Sequence, residues 1–524
     1  MSTAHTLKRA AVGGSCAVAM ALAAGSASGQ EVNPNATLVL GTTDQPVSYD
    51  PAGSYDLPSW TVIYNTYSFL MTLPPGETTP VPDAAKSCGW SGEKTYKCTL
   101  RRDIQFTNGD QLTAEDVKFS FNRVIRMDEP NGPSSLLSPI DSIATPDKWT
   151  VVFTLNSHTA TWPYILATGA GAIVPKGVYP PNKLQPSDQV VGSGHYEVAA
   201  YKPNVQTVLE RNEDYYGEQT ARNKRAIIQY FSNSATLKLA AQQGTVDIAY
   251  RKLTPTDIAA LRGNTGDNLR LVEGKGTAIR YLVFNLSLEP GKHRAVRQAA
   301  AYMMDREAIA QNVYNGTVEP LYSMVPAGLE GHIDAFKAEY GTGTNVEAAR
   351  RVLNKAGIET PVELQLWYTP KHYGDSSADE YAEIQRAFET DNVFDVTLES
   401  TEWARYVSAA TTDQYPAFQM GWFPDYPDAD NYIAPFYGSE TMWLNNHYKN
   451  ERVDELIRQE RASENPQVRM RAFKEIQRIT AKDVPIIPVF QAKQIAVVND
   501  RIKGISKTLD PSYVFRYWVI GKTQ

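Results

Sequence analysis

The sequence predicts a mixed α/β fold in two or more domains. The chain has 524 residues, of which 42% are hydrophobic. Because a single domain commonly holds about 150 residues, this length can build more than one hydrophobic core. Strand-like and helical segments alternate along the whole chain. That alternation is typical of α/β domains and excludes an all-helical or an all-β architecture.

Apolar patterning predicts the individual elements in order. TLVLGT at residues 37–42 predicts a buried strand, and a helix is expected to begin after Ser59. A strand from Tyr281 leads into a long helix, which is expected to end at Gly316 because glycine favours helix ends. The same reasoning predicts strands at 150–155, 206–210, 227–231, 362–368, 394–398, 484–490 and 495–498, and helices at 234–243, 345–356 and 378–388.

The run at residues 98–124 joins three elements in a specific order. Apolar residues up to Phe106 predict a strand. Asn108 and Gly109 predict a two-residue hairpin turn in which both residues have positive φ. Thr113 predicts the cap of a helix that carries one apolar face.

Net charge excludes some partners. The formal charge is −7 and the isoelectric point is near 5.7. Nucleic acids and anionic membranes bind proteins through basic surfaces, so neither is expected as the main partner. After the first thirty residues, no segment offers about 18 consecutive apolar residues, so no membrane span is predicted.

The first thirty residues predict an export signal. Lys8 and Arg9 precede a small-residue apolar run that reaches Ala24, and small residues follow near the expected cleavage site at Gln30. Cys16 raises the alternative of a lipid anchor, but the residues before it lack the usual leucine-like side chain and the apolar run continues past it. The predicted location is periplasmic, secreted or at the cell surface.

Removal of that signal leaves two cysteines, Cys88 and Cys98. The segment between them contains the turn signal Ser91-Gly92, so the two ends of a hairpin can approach each other. In an oxidising compartment a disulfide is the expected state, because two thiols alone make only half of a zinc site.

Four ordered blocks together carry a family resemblance that spans nearly the whole chain after the signal. They are residues 98–124, GSGHYEVAAYKPNVQTVLERNEDYYG at 192–217, NLSLEPGKHRAVRQAAAYMMDREAIAQNVYNG at 285–316 and GWFPDYPDADNY at 421–432. They resemble the family 5 extracytoplasmic solute-binding proteins, the peptide and nickel receptors of bacterial ABC importers. His195 departs from the pattern, since proline is usual there.

The resemblance implies a bilobal periplasmic-binding-protein fold of type II, with an extra subdomain and a ligand cleft between the lobes. The first lobe is expected at 31–283 with an inserted subdomain at about 71–187, the second at 284–499, and a return to the first lobe at 500–524. Ligand would close the cleft by a hinge motion, and the closed monomer would dock on a permease.

The resemblance also implies a ligand site. Asp425 matches the position whose carboxylate takes the α-ammonium of a peptide, although a solvated loop aspartate is the alternative. The other candidates are the neighbouring aromatic residues, a first-lobe loop whose backbone would pair with the ligand, and two basic residues for its carboxylate. The aromatic residues are Trp422, Phe423 and Tyr426, and the loop residues are Leu57, Pro58 and Ser59. The basic residues are Lys371 and His372.

Metal and enzyme hypotheses find little support in the sequence. DYPDAD at 425–430 lacks the glycine and the glutamate of a helix-loop-helix calcium site. The sequence contains no HExxH, no GxSxG elbow and no phosphate loop ending in GK[ST]. No cofactor is expected, and the predicted function is capture of peptides or peptide-like solutes for an ABC importer. Binding of nickel chelates or opine-like amino-acid conjugates is the alternative within the fold, and a secreted hydrolase is the alternative outside it.

Overall fold

The computed structural model describes residues 31–262, 268–444 and 446–524. The predicted export signal and Cys16 therefore lie outside the described residues. None of the helices within those three ranges has the length and the apolar composition needed to cross a bilayer.

Strands form three main sheets and two small pairs. Within the described residues the strands are β1 Thr37–Thr42, β2 Met71–Thr72, β3 Val81–Pro82, β4 Ala85–Gly92, β5 Thr95–Leu100, β6 Ile140–Asp147, β7 Thr150–Leu155, β8 Tyr196–Lys202, β9 Gln206–Arg211, β10 Arg225–Tyr230, β11 Ile248–Tyr250, β12 Leu269–Gly274, β13 Ile279–Phe284, β14 Val318–Pro320, β15 Val362–Tyr368, β16 Phe394–Ser400, β17 Ala417–Trp422, β18 Ile486–Ala492, β19 Gln494–Asn499, β20 Ile502–Lys503 and β21 Gly521–Lys522.

Helices lie between the strands along the chain. In the same part of the chain the α-helices are α1 Leu57–Thr66, α2 Ala114–Met127, α3 Trp162–Ile165, α4 Ser234–Gln242, α5 Pro255–Arg262, α6 Arg294–Met303, α7 Arg306–Ala308, α8 Ala335–Tyr340, α9 Val346–Lys355, α10 Ser377–Phe388, α11 Trp403–Ala410, α12 Ala434–Tyr437, α13 Glu451–Arg461 and α14 Pro466–Asp483.

The first lobe is built on a seven-stranded sheet with the order β12-β19-β11-β1-β10-β9-β8. Strand β1 is central and parallel to both of its neighbours, β10 and β11. Its side chains alternate between two cores, because Leu38 and Leu40 face one cluster while Val39 packs against the other. A central strand with both faces covered explains the continuous apolar run in the sequence.

A four-stranded sheet, β4-β5-β7-β6, forms a separate unit that α2 covers. Val117 and Phe121 of α2 are fully buried in its core. Cys88 and Cys98 lie directly opposite each other on β4 and β5 and form the disulfide that their spacing predicts. This unit falls within the range 71–187 expected for the inserted subdomain.

The second lobe is built on a six-stranded sheet with the order β14-β18-β13-β17-β15-β16. Five of the six residues of β13 are less than 5% exposed. Tyr281 and Val283 pack into one core and Leu282 and Phe284 into another. Two sheets with separate cores confirm the bilobal α/β architecture.

The described chain passes between the two large sheets at two places. Residues 275–278 connect β12 to β13, and Lys493 alone separates β18 from β19. Both crossings come about one strand earlier than the expected boundaries after residues 283 and 499, because 279–284 pair with the second sheet and 494–499 with the first.

Two local predictions are corrected. The long helix predicted up to Gly316 is interrupted after Met303, because Met304 is extended and the side chain of Asp305 caps a new turn by accepting from Ala308 N at 2.9 Å. In the predicted hairpin, Gly109 has a φ of +86° but Asn108 does not have positive φ. The turn is wider, since Phe106 N donates to Asp110 O at 2.8 Å.

Candidate functional site

Asp425 lies on the loop that follows the C-terminal end of β17, an inner strand of the second sheet, and a neighbouring amide holds it in place. The side chain of Asn431 accepts from Asp425 N and from Trp422 Nε1, both at 3.0 Å. Its Nδ2 donates to Asp425 Oδ2 at 2.9 Å. One buried amide therefore fixes the backbone of the loop, the carboxylate and the indole together.

A residue from the first lobe completes the environment of this carboxylate. Tyr55 Oη donates to Asp425 Oδ1 at 2.6 Å. Burial raises the pKa of Asp425, and the hydrogen bonds from Tyr55 and Asn431 only partly oppose that shift. Among the described residues, no lysine, arginine or histidine forms an ion pair with Asp425. The site thus holds a half-buried carboxylate that has hydrogen bonds but no positive charge.

The aromatic residues around Asp425 occupy three different settings. The Trp422 ring packs at 5.2 Å, edge to face, against Phe436 of the second lobe. Phe423 reaches toward the first lobe, where its ring lies 4.4 Å from Tyr513. Tyr426 is buried among residues of the four-stranded unit. Trp422 and Phe423 therefore remain available to border the cleft, whereas Tyr426 acts as a core residue between the lobes.

The first-lobe segment at 57–59 differs from its expected backbone role. These residues form the first turn of α1, whose cap is Asp56: its Oδ1 accepts from Ser59 N at 2.8 Å. Ser59 is fully buried, and its hydroxyl accepts from Val47 N and Ser48 N. A helical turn does not offer the extended edge that strand-like pairing needs. The residues with extended backbone, Ser54 and Asp56, lie just before this helical turn.

Leu57 and Pro58 are half-buried at the start of that helix. Pro58 suits this position because a proline at the first turn removes no helical hydrogen bond. The prediction of a loop at 57–59 is therefore wrong about the local structure, which is helical, and a contact of these residues with a ligand stays a prediction.

The two basic candidates, Lys371 and His372, differ from each other in exposure and in contacts. Lys371 is 72% exposed and pairs with Asp375 at 3.0 Å, and within the described residues no ion pair joins it to the loop of Asp425. His372 stacks on Trp403 with ring centroids 3.5 Å apart. Burial first, and then the positive charges of Lys252 and Arg280, lower the pKa of His372 to about 4. It is a neutral ring at physiological pH.

The other aspartates of the loop have structural partners. Arg469 binds both oxygens of Asp428 at 2.7 and 2.8 Å, and Arg461 binds both oxygens of Asp430 at 2.9 and 3.0 Å. The same network touches the first lobe, because Ala160 N donates to Arg461 O at 2.9 Å. No set of three or more metal-ligating side chains occurs in the described ranges.

More than half of the chain matches one bacterial protein family. Residues 79–443 match the bacterial extracellular solute-binding proteins, family 5, in their middle region. The chain belongs to this family. Its members are defined as binding proteins and not as enzymes.

Relatives and solved structures resemble this chain over nearly its whole length. A probable D,D-dipeptide-binding periplasmic protein of Escherichia coli strain K12 is 26% identical over 487 residues, which are 90% of this chain and 91% of that protein. The Helicobacter pylori periplasmic binding protein DppA, solved with the peptide STSA, superposes with a TM-score of 0.78 at 20% identity. That match covers 94% of this chain and 98% of the other.

Another solved structure of the same fold was determined with a different ligand. The binding protein AgaA from A. tumefaciens R10, solved with agropinic acid, superposes with a TM-score of 0.75 at 24% identity, covering 93% of this chain and 99% of that one. At such identities, the structural likeness establishes the bilobal fold and does not identify a solute.

Three residues of the candidate site were not predicted from the sequence. Tyr55 is separated from Asp425 by 370 positions, so no local pattern joins them. Asn431 looks like one more polar residue of a loop. Arg251 follows β11 and lies with its guanidinium carbon 5.2 Å from the ring centre of Phe423. The signal that could have identified Asn431 is its place after DYPDAD, where side-chain amides commonly fix turns.

Proposed function

We propose that this protein captures peptides or peptide-like solutes between its two lobes and delivers them, from outside the cytoplasm, to the permease of an ABC importer. The observation that carries the proposal is the Asp425 carboxylate, which is half-buried and has no cationic partner among the described residues. A ligand ammonium would supply the missing positive charge. Charge-assisted hydrogen bonds of this kind are stronger than those between neutral groups.

Three contacts between the lobes support a mechanism of capture by closure. Tyr55 donates to Asp425, Arg251 lies over Phe423, and Ala160 donates to the backbone of Arg461. Each one joins a first-lobe residue to a second-lobe residue and breaks when the cleft opens. A solute that touches both lobes has a higher affinity for the closed form and so increases its population.

The lobes in this proposal follow the strand pairing. We assign residues 31–274 and 494–524 to the first lobe and 279–492 to the second, so that 275–278 and Lys493 are the hinge. A hinge of two short connections allows large rotation at little cost, because few residues need to change their backbone angles.

The side chains beside Asp425 support a peptide or peptide-like compound as the solute. Trp422 and Phe423 flank Asp425 with flat apolar surfaces that accept varied side chains. The names of several relatives specify dipeptides, tripeptides or oligopeptides. In this proposal the protein binds and releases its solute unchanged, without chemistry.

A thermal-shift screen of di- to pentapeptides, opines and nickel chelates tests the proposal on the exported protein. A rise in melting temperature with peptides and not with the other classes supports it. A response to opines or to nickel chelates alone moves the solute to those classes and contradicts peptide capture. Conversion of a bound peptide to products would instead indicate a hydrolase.

A further inference from the structure

A cavity of about 380 Å³ lies between the four-stranded unit and the second lobe. The first side supplies Trp90 of β4, Tyr96 of β5 and Tyr164 of α3, and α14 of the second lobe supplies Met470 and Phe473. Aromatic and apolar side chains from both sides therefore meet in it. Pockets that hold small molecules commonly have such walls and volumes of about 300–1,000 Å³.

This cavity shares a loop with the candidate site but not the side chains of that site. Pro427, Asp428 and Ala429 follow Asp425 on one loop and line the cavity. Among the described residues, its lining includes neither Asp425 nor Trp422. The cavity is therefore separate from the carboxylate that the proposed function uses.

Two carboxylates of the cavity have no partner. Glu330 and Glu464 both line it, and both are exposed. Neither side chain forms an ion pair or a hydrogen bond with another described residue. Arg469 also lines the cavity, but Asp428 binds both of its terminal nitrogens at 2.7 and 2.8 Å, and Glu460 Oε2 lies 3.0 Å from Nη2. The lining therefore has a net negative charge.

Tyr96 adds a polar group that no neighbour uses. This residue is only 3% exposed, and its hydroxyl forms no hydrogen bond within the described ranges. Its ring packs edge to face against Trp90, with ring centroids 5.1 Å apart. A nearly buried hydroxyl without a partner can accept a hydrogen bond from a ligand. The faces of Trp and Tyr rings also attract cations.

We propose that this cavity binds a small amphiphilic monoamine. The apolar body of the amine packs among the aromatic side chains, and its ammonium pairs with the carboxylates of Glu330 and Glu464. The walls come from both sides of a contact between the lobes, so the amine has a higher affinity for the closed form and increases its population. The inference goes beyond the proposed function, because this amine is a second ligand and not the transported solute.

Isothermal titration calorimetry with 2-phenylethylamine tests the inference. An ammonium could also bind at Asp425, so the titrations use the exported protein with the substitution Asp425→Asn. We expect the amine to bind this protein, and the neutral analogue 2-phenylethanol to bind at least tenfold more weakly. The added pair Glu330→Gln and Glu464→Gln should weaken the amine by tenfold or more and leave the alcohol unchanged.

The matched control is the added pair Glu359→Gln and Glu363→Gln, which removes the same charge from exposed glutamates of the second lobe outside the cavity. It should bind the amine as the parent protein does. Because all four glutamates are exposed, loss of folding is not expected in either variant. Small-angle X-ray scattering should show a smaller radius of gyration with the amine than without it.

Three results would overturn the inference. They are no binding of the amine, equal affinity for amine and alcohol, and equal affinity of the two double-glutamate variants for the amine. Binding of the amine with an unchanged radius of gyration would overturn its effect on closure. None of these results touches the proposed function, which is tested with peptides on the wild-type protein.

Discussion

Replacement of Asp425 by asparagine tests the ammonium site with little change in shape. The new side chain can keep both present contacts, because its carbonyl oxygen can accept from Asn431 Nδ2 and its amide can donate to the Tyr55 hydroxyl. Only the negative charge is lost. We therefore expect the loop and the contact between the lobes to persist in Asp425→Asn.

The size of the effect follows from the surroundings of the carboxylate. A hydrogen bond to a charged group contributes about 1.5–3 kcal/mol, and the upper part of that range applies where water is excluded. Asp425 is half-buried and has no competing cation in the described ranges. We expect a loss of about 2 kcal/mol, which weakens binding by about 30-fold. Stability without ligand should not fall, because the charge that is removed is one that burial disfavours.

Calorimetric titration of a free peptide and of its N-acetylated form, with both proteins, measures this effect. The acetylated peptide has no ammonium, so it should bind the wild type weakly and the variant equally weakly. The double-mutant cycle formed by Asp425→Asn and N-acetylation of the peptide measures the interaction energy between the carboxylate and the ammonium. Dissociation constants of wild type and variant that agree within twofold for the free peptide would refute the assignment. An equal loss of affinity for the free and the acetylated peptide in the variant would also refute it.

Four further expectations follow. Tyr55→Phe removes the hydroxyl that joins the lobes and should weaken peptide binding by about 1 kcal/mol, or about fivefold; titration with unchanged affinity would contradict this. Burial lowers the pKa of His195 to about 3, so below about pH 6.5 the unfolded chain binds a proton at this residue that the folded chain does not bind. This difference should lower the free energy of unfolding by about 2 kcal/mol at pH 5. Denaturant titrations at pH 7 and pH 5 should show that His195→Phe lacks this loss. Intact-mass analysis after alkylation should find no free thiol at Cys88 or Cys98, and loss of their bridge should lower the unfolding free energy by about 2–3 kcal/mol; two alkylated thiols would contradict the bridge. Lys371→Gln should bind peptides as the wild type does, because that lysine is exposed and paired with Asp375; a tenfold loss would restore the sequence-based assignment.

Buried strands were the most predictable elements. The observed bounds of β1, β7 and β15 coincide with the predicted ranges 37–42, 150–155 and 362–368. In each case a short apolar or alternating run ends in polar or turn-forming residues, and this pattern separates a strand from its loops. Local chemistry was sufficient where a strand is buried on one or both faces.

The prediction of one helix up to Gly316 was wrong because the apolar pattern continues across the interruption after Met303. Val296 and Met303 belong to α6, and Ile309 to the turn that follows, yet all three pack into one core. Periodicity alone cannot detect that Asp305, between them, caps a new turn with its side chain. Aspartate competes with the helix for backbone donors, and tertiary packing decides the outcome.

The candidate site was predictable only in part. The motif around Asp425 predicted the carboxylate and its aromatic neighbours as ligand contacts, and the structure places Trp422 and Phe423 beside Asp425 on one loop. Tyr55 and Arg251 carry no such signal, because tyrosines and arginines in loops are common in proteins that bind no solute at all. Their roles depend on which distant residues they meet, and that information comes from the packing of the two lobes.

Native mass spectrometry of the exported protein with a tripeptide tests the central claim most directly, because it reads stoichiometry and chemical change together. The account predicts one unmodified peptide per chain, with the complex lost when the peptide is N-acetylated. Absence of a complex at saturating peptide, or the appearance of hydrolysed fragments, would contradict capture without chemistry.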